Sequence, residues 1–193
     1  MGKIIRILSI ACILWYIGDY TVLAQAGKSK SHNISIAISE VALLDLESIS
    51  SSAISINPIS PTEAGNALDF SMATNNQIWI NYSSITGLTE PQRKVSVYVD
   101  GAIPDGVVLN VIASSYSGNG NGKTGISTGK VKLSGQVRNI ITNIGSCYTG
   151  DGINNGHLLT YSLELDKSNS GYGNLNFDES TTISVTYTLS DNN

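Results

Sequence analysis

Apolar residues recur at every second position in stretch after stretch of this chain. Ile34, Ile36 and Ile38 alternate with Ser35, Ala37 and Ser39, and Val95, Val97 and Val99 with Ser96 and Tyr98. Leu159, Tyr161, Leu163 and Leu165 alternate with Thr160, Ser162 and Glu164, and Ile183, Val185, Tyr187 and Leu189 with Ser184, Thr186 and Thr188. Successive side chains of an extended strand point to opposite faces, so each stretch has one apolar and one polar side. No segment keeps a helical period for three turns. The pattern commits the chain to strands buried on one face and wet on the other, as in antiparallel sheets.

The punctuation between these stretches agrees. Asn57-Pro58-Ile59-Ser60-Pro61 cannot lie in a central strand, because two of its residues lack a backbone donor. Asn75-Asn76, Asp100-Gly101 and Pro104-Asp105-Gly106 read as turns. Further strands are expected over Val41–Leu46, Ala53–Asn57, Leu68–Met72, Gln77–Ser83, Val107–Ala113, Gly129–Leu133 and Gln136–Ile141. Ser117–Gly129, Gly145–Gly156 and Lys167–Asn174 read as polar loops. Short strands at this spacing predict an all-β fold, an antiparallel two-sheet sandwich of immunoglobulin-like or jelly-roll-like type.

The first 26 residues are of another kind. Lys3 and Arg6 precede an apolar run, Ile7 to Ile17, and Ala24-Gln25-Ala26 supplies a small-x-small site. Basic start, apolar middle and small-residue end read as a secretory signal peptide over 1–26, leaving one domain over 27–193. The expected location is secreted or periplasmic, or the cell surface. The apolar run is shorter than the roughly 20 residues a membrane span needs, so no span is expected after signal removal.

Composition then excludes some partners. The formal net charge is −4 and charged residues make up only 13% of the chain, so there is no basic stripe to grip a phosphate backbone, and no nucleic acid is expected. Cys147 is the one cysteine left after leader removal, which rules out an intramolecular disulfide and reads as a buried thiol.

No pattern of catalytic residues stands out. Cys147, Asp151 and His157 share one loop but fit no nucleophile–base–carboxylate spacing, and the chain reads as a non-enzyme. Asp151-Gly152-Ile153-Asn154-Asn155-Gly156 has the flavour of a calcium loop, but Ile153 sits where a ligand is needed and the distal Glu is missing. Neither a metal site nor a cofactor is expected. Asn33 and Asn81 stand in Asn-x-Ser sequons.

Two interaction readings remain. Trp79, Tyr116 and Tyr148 are candidate ligand-binding residues, aromatics able to stack on a glycan at the loop ends of a rigid scaffold. Ile34, Ile36 and Ile38, near the mature N-terminus, are candidate self-association residues. A terminal strand with one apolar face can fill its own sheet or extend a neighbour's. These two ends, Ile-x-Ile-x-Ile and Ile-Ser-Val-Thr-Tyr-Thr-Leu, resemble those of chaperone–usher pilins and spore-coat-like secreted bacterial proteins. That resemblance implies a surface subunit whose N-terminal extension completes the next copy, with itself or other surface proteins as partners. The chain departs from the pilin pattern in lacking an early cysteine pair.

Overall fold

The computed structural model describes residues 29–50, 53–168, 171–178 and 181–192. The expected signal peptide lies outside them. The chain divides into two units between Ala37 and Ile38. In the first, described residues 29–37 form no strand and are exposed throughout.

The second unit is all-β and antiparallel. Its strands are β1 (Val41–Ser48), β2 (Thr74–Ile85), β3 (Arg93–Asp100), β4 (Val107–Ala113), β5 (Asn121–Ser127), β6 (Lys130–Lys132), β7 (Arg138–Tyr148), β8 (His157–Leu165) and β9 (Ser184–Asp191). One 3-10 turn, Gly171–Asn174, is the only helical element among the described residues. Hydrogen-bonded neighbours run β6-β4-β8-β2-β7-β3-β9, with β1 added to β2 and β5 added to β7.

β2 holds this path together. Its first half pairs with β8 (Ile78↔Leu159, Ile80↔His157) and its end with β7 (Ser83↔Tyr148, Ser84↔Cys147). β7 in turn pairs with β3 through its first half and with β5 along its other edge. Two strands that change partner midway link strands that would otherwise belong to separate groups.

The alternation sets the core. Ile78, Ile80 and Tyr82 of β2, Val95, Val97 and Val99 of β3, Val111 of β4, Ile140, Ile141 and Ile144 of β7, and Leu159 and Tyr161 of β8 are buried in one cluster. Tyr187 of β9 joins it, and the Tyr161 and Tyr187 hydroxyls lie 2.6 Å apart.

Several expectations shift. Asn75-Asn76 lies inside β2, where an irregularity between Asn75 and Ile78 absorbs the break in pattern. Ser117–Gly129 contains β5, whose glycines hide the strand signal. A Cβ on Gly122 would stand 2.3 Å from the Ser146 carbonyl oxygen, so only glycine lets β5 approach β7 there. Gly145–Tyr148, read as loop, continues β7. Leu68–Met72 contributes only an isolated bridge, Ile59↔Asp69. Ala53–Asn57 forms no strand, though Ile54 and Ile56 pack against the core. Ile34–Ser39, the cleanest alternation near the N-terminus, forms no strand either.

Candidate functional site

The three candidate aromatics occupy three different environments. Trp79 stands on the face of β2 opposite Ile78 and Ile80, half-buried, between Glu47 of β1 and Leu158 of β8 in register. Tyr116 is turned to structural use. Its hydroxyl accepts the Gly120 N–H at 2.6 Å and reaches the Thr149 carbonyl at 3.3 Å, and its ring meets His157 edge-on at 6.1 Å. Tyr148 is 52% exposed and lines an open cleft of about 480 Å3 together with Leu43, Asp45, Asn81, Ser83 and Asp151. Trp79 does not line that cleft; Ser83, the register partner of Tyr148, is four residues further along β2, about 13 Å away.

The segments read as polar loops over Ser117–Gly129 and Gly145–Gly156 are bound to each other. Ser117 N–H donates to the Gly156 carbonyl at 2.9 Å, and Asn119 N–H donates to Asn155 Oδ1 at 3.1 Å. Asn155 Nδ2 donates to the Asp151 carbonyl at 2.7 Å. Both ends of the Asn155 amide are thus engaged by backbone, and the Asp151–Gly156 segment is held as a turn. Gly156 at its end has φ +81°, and a Cβ there would lie 2.1 Å from the Ile80 carbonyl oxygen. Asn81 donates to the Gly152 carbonyl at 3.0 Å and is buried, which withdraws its sequon from modification in the folded protein.

His157, isolated in the sequence, is a hub. It is fully buried at the start of β8. Nδ1 lies 2.8 Å from the Ser114 carbonyl, which can only accept, so Nδ1 carries the proton. Nε2 lies 2.8 Å from the Tyr82 hydroxyl and 3.2 Å from the Thr124 carbonyl. The Tyr82 hydroxyl donates to that same carbonyl. Burial holds the imidazole below its ordinary pKa, against the opposing pull of the Ser114 and Thr124 carbonyls. Burial likewise raises the Tyr82 hydroxyl, helped by Cys147 and Tyr116, and pushes the Cys147 thiol up to about 11. A thiol so raised is a poor nucleophile at neutral pH. Neither Cys147 nor Asp151 is among the hydrogen-bond partners of His157. Among the described residues no group of three His, Cys, Asp or Glu side chains could hold a metal ion, and no helix is long and apolar enough to cross a membrane.

The candidate self-association residues stand elsewhere. Ile34, Ile36 and Ile38 are 73%, 85% and 83% exposed. Two residues on, Glu40 is bound to Arg93. Arg93 of β3 is 3% exposed and ties three other segments to its strand. It bonds to Glu40 and to the Val41 carbonyl at the start of β1, and to Ser84 Oγ at 3.3 Å and the Ile85 carbonyl at 3.4 Å at the end of β2. Its Nε donates to Asp191 Oδ1 of β9 at 3.0 Å. Nothing in the sequence around Arg93 signals this role. No protein-family model, curated protein or solved structure matches the chain.

Proposed function

We propose that this is a secreted, non-enzymatic surface or structural protein, a subunit of fimbrial or matrix type, that self-associates by donating its N-terminal strand to another copy. The observation that carries the reading is the state of Ile34, Ile36 and Ile38. Three large apolar side chains, on one side of an alternating run, stand in water on a segment that forms no strand. Burying each is worth about 1.5–3 kcal/mol, and a sheet edge offers both the apolar contact and the missing hydrogen bonds.

The acceptor in this reading is β9. Among the described residues it pairs with β3 alone, leaving one edge of its backbone open. Its alternate residues Val185, Tyr187 and Leu189 pack on the core, so an added strand would continue that face. The sheet itself is read as a sandwich, with β1-β2-β8-β4-β6 in one layer and β9-β3-β7-β5 in the other. The Tyr161–Tyr187 contact and the single core shared by both groups support this. The buried His157 and the raised Cys147 thiol favour a non-catalytic role.

Light scattering of the purified protein over a dilution series tests the function. Concentration-dependent assemblies that persist in reductant and disappear with Ile36→Asp are expected. A monomer at every concentration overturns the reading.

The exposed Tyr148 in its cleft favours a second reading, a glycan-binding module. Retention on a glycan array that is lost with Tyr148→Ala and kept with Trp79→Ala is its expected signature.

A further inference from the structure

Charge is unevenly placed along this chain. Between Asp105 and Asp151 there is no acidic residue, while Lys123, Lys130, Lys132 and Arg138 fall within that interval of a protein whose net charge is −4. The fold gathers three of the four around one open cleft of about 730 Å3. The cleft lies inside an excursion between β5 and β7. Thr128 closes the base of this excursion, with its N–H on the Ile140 carbonyl and its Oγ1 on the Asn139 carbonyl, both at 2.9 Å. The chain then runs out along β4 as β6 and crosses to β3, where Val99 N–H donates to the Ser134 carbonyl. It returns at Arg138. Compact loops with tied ends are frequent carriers of function.

We propose that this cleft binds an acidic polysaccharide, sugar units bearing carboxylates. Lys130 and Lys132 are two residues apart on β6 and therefore share a face, with Val131 between them turned to the core. Arg138 is exposed; among the described residues it has no carboxylate within ion-pair distance and its guanidinium bonds to Gln136 Oε1 at 3.2 Å, leaving its fork open to a bidentate anion. Hydroxyls and amides of Thr128, Ser134, Gln136 and Asn139 complete the lining, matching the donors and acceptors of sugar hydroxyls. Among the described residues no aromatic side chain lines the cleft, which leaves it without the stacking platform that single-stranded nucleic acid needs.

Two carboxylates compete with the ligand. Glu164 on β8 pairs with Lys130, each about half exposed, and Lys132 helps hold Asp166 below the ordinary carboxylate range after the larger effect of its bonds to Ser168. An exposed pair of this kind is weak and readily exchanged.

The test is binding of polygalacturonate by the full chain at low and physiological salt, with dextran and an oligothymidylate of matched charge as comparison. Polygalacturonate should bind, more weakly as salt rises, while dextran does not. Lys132→Glu with Arg138→Glu should weaken binding about tenfold or more without changing Tm, both side chains being exposed. Glu164→Gln, which releases Lys130, should tighten binding about threefold. The proposal is overturned if polygalacturonate does not bind, if the double variant binds as the parent does, if Glu164→Gln fails to tighten binding, or if the oligothymidylate binds as tightly.

Discussion

The hydroxyls of Tyr161 on β8 and Tyr187 on β9 lie 2.6 Å apart, although four strand-to-strand steps separate β8 from β9 in the sheet. A flat sheet would hold those strands about 19 Å apart. Both rings are buried, and burial raises both hydroxyls above their ordinary pKa. Each hydroxyl meets the other inside an otherwise apolar cluster. Tyr161→Phe should therefore cost about 1–3 kcal/mol, mostly from the Tyr187 hydroxyl left without this partner. Tyr161→Phe combined with Tyr187→Phe should cost less than the sum of the two single changes. Urea unfolding of the three variants measures the coupling, and simple additivity would remove the pair from the account of the core.

His157 predicts a loss of stability in mild acid. Its folded pKa lies below the unfolded value of 6.5, so the unfolded chain takes up the proton first as pH falls. The contribution is complete above that value and declines as pH drops toward the folded pKa, by at most about 1.4 kcal/mol per pH unit. Urea midpoints followed from about pH 8 to pH 5 should fall in the lower half of this range, and His157→Gln should flatten the slope there.

Arg93 should be the most costly single charge to remove. Its buried guanidinium serves the carbonyls of Val41 and Ile85 and the carboxylates of Glu40 and Asp191. Arg93→Met should destabilise by about 1–3 kcal/mol, since the buried Ser84 hydroxyl and the half-buried Val41 and Ile85 carbonyls lose their donor, while Glu40 and Asp191 keep access to water. Asp191→Asn should cost less, because Asp191 is a third exposed. Denaturant titration of both variants ranks them.

Gly156→Ala combines two penalties. The position has φ +81°, and the new Cβ would press on the Ile80 carbonyl oxygen at 2.1 Å. A loss of about 2 kcal/mol or more is expected. Thermal melts of this variant beside Gly129→Ala, where φ is +86° but nothing lies within 4 Å, separate the steric cost from the backbone cost.

Alternation made some strands legible almost to the residue. Val107–Ala113 was readable as β4 without change, and Leu158–Leu165 as β8 within one residue, because their apolar faces are complete. β5 was hidden, since Asn121-Gly122-Lys123-Thr124-Gly125 has no apolar face and is a strand only because β7 supplies its partner. Ile34–Ile38 shows the converse: the pattern states what a strand would bury, and pairing depends on an edge to bury it against. For the site, the sequence did not show that Tyr148 stands exposed while the Tyr116 hydroxyl bonds to the backbone of Gly120 and Thr149, since both depend on how distant segments pack. Arg93 and His157 gather contacts from residues far along the chain, and no local spacing announces such convergence.

Amide hydrogen exchange at high and low protein concentration tests strand donation most directly. In the dilute protein, amides of residues 34–38 should exchange freely. In the concentrated protein those amides should become protected together with amides of β9 that do not bond to β3, and Ile36→Asp should abolish both effects at once. Assemblies in which residues 34–38 still exchange freely, or in which protection appears away from β9, would contradict the account.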